Sequence, residues 1–378
     1  MPKSIEKSQE KVASGSGLSK IAAAINLYDP IFKIYTGGVP IFVRLQQIFL
    51  KTRALAPIRA TIVLTHKCNC DCRMCYIPDI SCDNELTFED LKNTLDQLPK
   101  GSMVIITGGE PTLAKDFFKI VDYAAKGHKV QVRTNGSTLD KEMIKKLIDA
   151  GIWVISFSIE APHDEIHDQI RGNKGLLQKV KRSIDEIVSM KRDRRLARPF
   201  IHINTVIMKE SIPYLPEMVE FGSKSGVDFM SFSPDSRTDS YKNFNEQDLD
   251  YLKERLEKSL ELAKRYRLCL RFGNNLSIED ILEFFSAPNK EKNIFERKFI
   301  CGAPWAGVFI MPDGNVKACY LPSATALGNI KKDNIRNIWN NKIARDLRES
   351  IMKTNHFRRE CISCCMSFKS RSGAYKKI

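Results

Sequence analysis

Between residues 59 and 233, short apolar runs alternate with longer stretches of helical periodicity, and this alternation constrains the fold more than any other feature. The runs cover 59–65, 103–107, 129–134, 152–159, 201–208 and 227–232, each rich in Val, Ile or Phe. Several are almost continuously apolar, as parallel strands buried on both faces are. The intervening segments read as helices. Thr87 with Asp90 forms a capping-box start, after which Leu91, Leu95 and Leu98 keep one face apolar. Similar spacing covers 139–150, 175–191 and 214–225. Six strands joined by helices imply right-handed βαβ crossovers, hence a parallel barrel or partial barrel. An open doubly wound sheet fits the same periodicity.

Residues 246–285 read as helical and bridge to a smaller unit, in which apolar runs at 307–311 and 315–320 flank Pro312-Asp313-Gly314, a β-hairpin pattern. The expected layout is an apolar, basic segment at 1–58, a barrel at 59–245, a helical bridge at 246–300 and a C-terminal unit at 301–378. The fold class is α/β: a partial (β/α)6 parallel barrel with a small α+β domain behind it. With 43% hydrophobic and 28% charged residues the chain can bury a real core, which excludes disordered and collagen-like classes. The best apolar run, 34–43, contains Gly37, Gly38 and Pro40 and is too short to span a bilayer. No signal-peptide core follows the first residues, so a cytoplasmic protein is expected.

Eleven cysteines in such a chain point to metal or redox chemistry rather than disulfides. Cys68, Cys72 and Cys75 follow the first strand in LTHKCNCDCRMCY, a C-x3-C-x2-C spacing. Three thiolates from one loop can hold three irons of a [4Fe–4S] cluster and leave the fourth open to an outside ligand. Zinc is the alternative, although structural zinc usually takes four ligands. Cys70 offers a second register. The C-terminal end of a barrel strand is also where such folds keep their chemistry. Strand two ends in Thr107-Gly108-Gly109-Glu110-Pro111, where two glycines allow close backbone approach and Glu110 offers an acceptor for an amine.

Together, the cysteine spacing and Gly-Gly-Glu-Pro resemble the radical S-adenosylmethionine (radical SAM) family over residues 59–233. That resemblance implies that the open iron binds the amino and carboxylate groups of SAM. Cleavage of SAM then gives a 5′-deoxyadenosyl radical that takes hydrogen from a substrate carbon. By the same resemblance Gly108, Gly109 and Glu110 hold the methionine amino group, and Tyr76 lies near the adenine. Asn135 follows strand three, and Ser158 and Glu160 follow strand four. Arg171 pairs with the SAM carboxylate, and Asn204 faces the nucleoside. Family members often carry Asp where this chain has Glu160. Asp235 and Arg237, just past strand six, are placed to face the barrel mouth, but no general base can be named.

Cys301 and Cys319 bracket the hairpin, and Cys361 and Cys364 follow some forty residues later. Four thiolates from two segments can close a complete site, and a four-cysteine zinc site is compatible with the spacing. Within a radical SAM chain the pattern resembles the SPASM and twitch extensions, which carry auxiliary [4Fe–4S] clusters. Only Cys365 remains beyond the C-x2-C pair, so the expectation is the twitch form, with one auxiliary cluster relaying electrons and either Cys364 or Cys365 as ligand. An electron donor such as flavodoxin or ferredoxin is implied.

The chain holds 60 Lys and Arg against 45 Asp and Glu, a formal charge of +15. Residues 1–60 carry nine basic against three acidic side chains, and residues 342–378 carry ten against three. Basic ends suit an anionic partner. At 41–49, Ile41, Leu45, Ile48 and Phe49 share a helical face flanked by Arg44, which suits an interfacial membrane helix or a helix packed on the barrel. The reading is oxidation or carbon–carbon bond formation on a small-molecule or lipid-type substrate, with peripheral contact at the inner face of the membrane. A sugar or aminoglycoside dehydrogenase and a peptide modifier are the alternatives of the same class. A zinc-stabilised nucleic-acid-binding protein is the alternative from another class, but no interleaved basic–aromatic element supports it.

Overall fold

A computed structural model describes residues 39–75, 85–235, 244–273, 276–286, 299–320, 324–354 and 367–369. Helix α1 (Val39–Phe49) precedes six strands: β1 (Arg59–Val63), β2 (Met103–Thr107), β3 (Lys129–Thr134), β4 (Val154–Ser158), β5 (Phe200–Ile207) and β6 (Phe229–Pro234). Neighbours in this series pair in parallel, which leaves no room for hairpins and forces a crossover at every return. The crossovers are α2 (Phe88–Gln97), α3 (Phe117–Ala125), α4 (Lys141–Asp149), α5 (Asp164–Arg171), α6 (Leu176–Asp193) and α7 (Leu215–Lys224). The expected capping box opens α2, with Thr87 accepting from Asp90 N and the Asp90 side chain returning to the cap, and Leu91 and Leu95 are buried.

The stretch expected to be an all-helical bridge is not one. After α8 (Glu246–Tyr266) the chain turns through Arg267 at φ 54°, runs as strand β7 (Cys269–Phe272), and turns again at Gly273 with φ 46°, before α9 (Ile278–Ser286). Strand β7 pairs in parallel with β6, so the series that begins at β1 continues one parallel strand beyond the six expected.

The C-terminal unit comprises β8 (Phe299–Cys301), α10 (Ala303–Ala306), β9 (Gly307–Ile310), β10 (Asn315–Lys317), β11 (Ala326–Asn329), α11 (Ile335–Asn340), α12 (Lys342–Thr354) and β12 (Ser367–Lys369). The expected hairpin is present as β9 and β10, antiparallel about Gly314 at φ 88°. A Cβ on Gly314 would stand 2.8 Å from the Asn329 side chain, so both space and backbone call for glycine there. Strand β9 also pairs in parallel with β1, on the edge opposite β2. One ten-stranded sheet, ordered β11-β10-β9-β1-β2-β3-β4-β5-β6-β7, therefore runs through both units.

Outward strand positions such as Ile62, Val104, Val132, Ile203 and Met230 pack with the helices in one continuous core. Most inner positions of β3, β5 and β6 are polar, namely Lys129, Gln131, Arg133, His202, Asn204, Ser231 and Ser233, and Phe200, Val206 and Phe229 are the apolar ones among them. At the N-terminal ends of β1 and β9, Gln46 donates to Trp305 O at 3.0 Å and Trp305 Nε1 to Lys51 O at 3.1 Å. The fully buried Arg348 donates to Pro304 O, Thr52 O and Trp339 O and stacks on Trp339. These bonds fix α1 at the end of the sheet away from the strand C-termini. Its face Ile41, Leu45, Ile48 and Phe49 lies in solvent, 64%, 49%, 52% and 75% exposed, and not against the barrel. Among the described residues no helix is long and apolar enough to cross a membrane.

Candidate active site

The cysteine loop leaves the C-terminal end of β1 and is gripped from two sides by backbone. On one side Gly109 N donates to Thr65 O and Glu110 N to Lys67 O, both at 2.8 Å. The approach is so close that a Cβ on Gly109 would sit 2.3 Å from Lys67 O, and one on Gly108 2.6 Å from Thr65 O. On the other side Asp71 N and Arg73 N donate to Arg171 O and Ile170 O, each at 3.1 Å. Gly172, at φ 62°, caps α5 there, and its Cβ would sit 2.4 Å from Asp71 O. The Gly-Gly-Glu and Ile-Arg-Gly segments thus share one physical role, letting two strand-end loops touch the cysteine loop.

Cys68 and Cys75 are exposed and Cys72 is half-buried. The Cys72 thiol is pulled down to about 6, first by a hydrogen bond from Cys70 and then by the Arg171 guanidinium, whose Nη1 donates to Cys72 Sγ at 3.6 Å. Cys68 is pulled down to about 7, chiefly by the Cys70 hydrogen bond. Cys70 is pushed up because it shares its proton with Cys68 and Cys72, and it accepts from Asn135 Nδ2 at 3.2 Å and Asn173 Nδ2 at 3.5 Å. A loop that favours thiolate at two of three spaced cysteines suits iron, because the thiolate is the ligand. Among the described residues no group of three His, Cys, Asp or Glu side chains closes around a single metal-ion position.

The SAM-contact candidates are brought to the same rim, but two carboxylates are already engaged. Glu110 is fully buried; it accepts from Thr112 Oγ1 at 2.6 Å, Thr134 Oγ1 at 2.8 Å, Thr112 N at 3.2 Å and Asn135 N at 2.7 Å. Burial raises its pKa against those donors. Its carboxylate locks the β2 and β3 exits together. Glu160, also fully buried, pairs with Arg171 and accepts from Val206 N at 2.6 Å. Burial works against the charge on Arg171, but Glu160 first and then Cys72 outweigh it and hold the guanidinium protonated. Arg171 therefore links a buried carboxylate to a cluster cysteine. Asn135 Nδ2 reaches Asn69 Oδ1 at 2.9 Å and Cys68 Sγ at 3.9 Å. Ser158 ends β4 in register with Asn204 of β5, and Asp235 is buried at the exit of β6. Tyr76, Arg237, Cys361 and Cys364 lie outside the described residues. Cys301 and Cys319 are half-buried at the end of β8 and just after β10.

Below the rim a hydrogen-bonded chain crosses the inner face of four strands, a feature that sequence reasoning missed. Gln131 Nε2 donates to Ser156 Oγ at 2.8 Å, and Ser156 meets His202 Nδ1 at 2.6 Å. His202 Nε2 meets Ser231 at 2.9 Å, and Ser231 and Ser233 donate to Asn204 Oδ1 at 2.8 and 3.2 Å. The signal was present as a period-two polar pattern in KVQVRT, IHINTVI and FMSFSP.

A parallel-strand barrel with spaced cysteines at its mouth, and an extension in which two further cysteines fall among the described residues, has the make-up of an iron–sulfur enzyme of the α/β-barrel class. Residues 62–221 match the radical SAM superfamily, and residues 301–365 match the SPASM iron–sulfur cluster-binding domain. The chain is 25% identical over 299 residues to the antilisterial bacteriocin subtilosin biosynthesis protein AlbA of Bacillus subtilis, covering 77% of this chain and 61% of AlbA. It thus spans about three fifths of that relative. It is 26% identical over 306 residues to an AdoMet-dependent heme synthase of Methanosarcina barkeri, 76% of this chain and 83% of the synthase. Streptococcus suis SuiB bound to SAM superposes with a TM-score of 0.63 at 17% identity, covering 92% of this chain and 79% of SuiB, a likeness of fold. The chain is a radical SAM enzyme with a C-terminal SPASM domain. Its cofactors are a [4Fe–4S] cluster with SAM and auxiliary iron–sulfur in the SPASM domain.

Proposed function

We propose that the protein modifies a peptide, by hydrogen abstraction from a peptide carbon followed by oxidation or bond formation. The observation that carries this reading is the polar inner face below the SAM rim. Hydroxyls, amides and guanidinium groups suit a peptide and do not suit a lipid tail. Two comparisons support it: AlbA is named for bacteriocin biosynthesis, and SuiB has been seen bound to its precursor peptide SuiA. The expected lipid-type substrate rested on the apolar face of α1, which stands at the opposite end of the sheet from the cysteine loop. Membrane contact there would tether the enzyme at the inner surface without presenting its substrate.

When bound, cluster and SAM supply a 5′-deoxyadenosyl radical. The chain's own part is positional. Cys68, Cys72 and Cys75 would hold the cluster, and the backbones of Gly108 and Gly109 would receive the SAM amine. Arg171 and Ser158 would face its carboxylate, and Asn204 its nucleoside. Cys301, Cys319, Cys361 and one of Cys364 or Cys365 would hold a single auxiliary cluster that passes an electron onward, and a flavodoxin or ferredoxin would supply the first one. A tetrapyrrole substrate is the second reading, because the heme synthase is matched over more of its length than AlbA. The test offers the reconstituted enzyme, with SAM and reductant, three uniformly deuterated extracts in turn: short peptides, tetrapyrroles and lipids. Deuterium should enter 5′-deoxyadenosine from the peptide extract. Label arriving only from either of the others overturns the reading.

A further inference from the structure

The hydrogen-bonded chain on the inner face of the barrel has a single direction. Ser231 spends its only hydrogen on Asn204 Oδ1 at 2.8 Å, so toward His202 Nε2, 2.9 Å away, it can only accept. His202 therefore carries its proton on Nε2 and accepts at Nδ1, where Ser156 Oγ stands at 2.6 Å. Ser156, its hydrogen given to His202, accepts in turn from Gln131 Nε2 at 2.8 Å. The two ends of the chain thus demand the same imidazole tautomer. Stacking on Phe229, with ring centroids 4.4 Å apart, holds the imidazole in place. At the far end Asn204 Oδ1 is filled by two hydroxyls, that of Ser231 and that of Ser233 at 3.2 Å. The Asn204 Nδ2 has no partner among the described residues and is open to the barrel interior.

We propose that His202 is a positioning residue: acting through Ser231, it fixes the Asn204 amide so that N–H groups, and no acceptor, face the ligand. Turning that amide round would set its NH2 against two serine hydroxyls, and every link of the chain would have to reverse. Gln131 would then have to offer its oxygen, and His202 its other tautomer. Without the chain, Asn204 could serve as donor or acceptor equally well. With it, the position selects an atom that only accepts. A hydroxyl held there would find no acceptor at Asn204 for its own hydrogen, whereas a ring nitrogen or a carbonyl oxygen needs none. This rests on the placement of Asn204 against the SAM nucleoside proposed above and adds the polarity of the contact. The partner is a ring nitrogen of adenine, or a carbonyl oxygen of the substrate entering beside it.

Two measurements test it. In the apo protein with isotope-labelled histidine, the His202 resonance, identified by its absence from His202→Gln, should show the Nε2–H tautomer. The Nδ1–H tautomer would overturn the direction of the chain. Calorimetry on the full-length reconstituted enzyme then reads the affinity for SAM alone, and for acetyl-Ala-Ala-Ala-amide with SAM present. Asn204→Asp keeps the shape but turns the donor into an acceptor, and should weaken one of these by about ten-fold or more. Weaker SAM binding identifies adenine as the partner, and weaker peptide binding alone identifies a carbonyl. If Asn204→Asp weakens neither, the proposal is overturned. His202→Gln can still place an N–H against Ser231, whereas His202→Asn reaches only Ser156. His202→Asn should therefore lose about five-fold or more of the same affinity, and His202→Gln should stay within about two-fold of the wild type. In the Asn204→Asp background His202→Asn should add nothing further. Equal losses in the two His202 variants, or losses additive with Asn204→Asp, would make the role of His202 merely structural. If His202→Asn does not fold, Ser231→Ala cuts the same link and takes its place. The peptide reading is tested separately, by the deuterium transfer above, and survives a failure here.

Discussion

Replacing Gly109 with Ala tests the grip on the cysteine loop. The added Cβ would lie 2.3 Å from Lys67 O and 2.6 Å from His66 O, both backbone atoms that cannot rotate away. Relief needs about 1 Å of separation, enough to break the 2.8 Å bonds Gly109 N to Thr65 O and Glu110 N to Lys67 O. Two backbone bonds at about 1 kcal/mol each and an overpacking cost of about 1–3 kcal/mol give about 3–5 kcal/mol. At about 2.1 cal/mol/K per residue, that lowers Tm by about 4–6 °C for this chain. Gly151→Ala is the control: its φ of 77° is equally left-handed, but nothing lies within 4 Å of the new Cβ. It should cost about 1 kcal/mol and leave SAM affinity alone. Thermal melting of the apo chains, with SAM binding by the reconstituted ones, reads both effects. If Gly109→Ala melted within a degree of Gly151→Ala and bound SAM normally, the close-approach argument would be wrong.

Other outcomes follow from the same structure. Arg348→Met strips the guanidinium from three buried carbonyls and should cost about 3 kcal/mol or more in denaturant unfolding; a loss below 1 kcal/mol would deny that Arg348 ties α1 to the C-terminal unit. The folded chain keeps His202 neutral down to about 3, whereas the unfolded chain protonates near about 6.5. Stability should therefore be full above that pH and fall as the pH drops toward 3. His202→Gln should flatten the fall in urea midpoints between pH 7 and 5, and an unchanged slope would show that His202 is not buried neutral. The intact chain should sediment with anionic liposomes more than Ile41→Ser/Ile48→Ser/Phe49→Ser does; equal sedimentation would remove the tether.

The six barrel strands and the α2 cap were legible because apolar runs and a capping box are local patterns. Strand β7 was not: its alternation of Leu270 and Phe272 with Cys269 and Arg271 spans only four residues straight after a 21-residue helix, and pairing with β6 makes them a strand. The cysteine loop and its glycines were legible as types and spacings. Their partners were not, because Glu160 and Arg171, or Glu110 and Asn135, meet only after loops from separate strands converge. The inner hydrogen-bonded chain was hidden differently. Its polar residues alternate with Val, Ile and Phe, so an eye set for buried parallel strands reads the apolar half of the pattern.

The central claim is that Cys68, Cys72 and Cys75 hold the cluster on which SAM is cleaved. Iron analysis and SAM turnover of anaerobically reconstituted protein test it directly. The wild type should carry about eight irons, two [4Fe–4S] clusters, and Cys68→Ala/Cys72→Ala/Cys75→Ala should carry about half that number with no SAM cleavage. Undiminished iron in the triple variant, or cleavage that survives in it, would contradict the account.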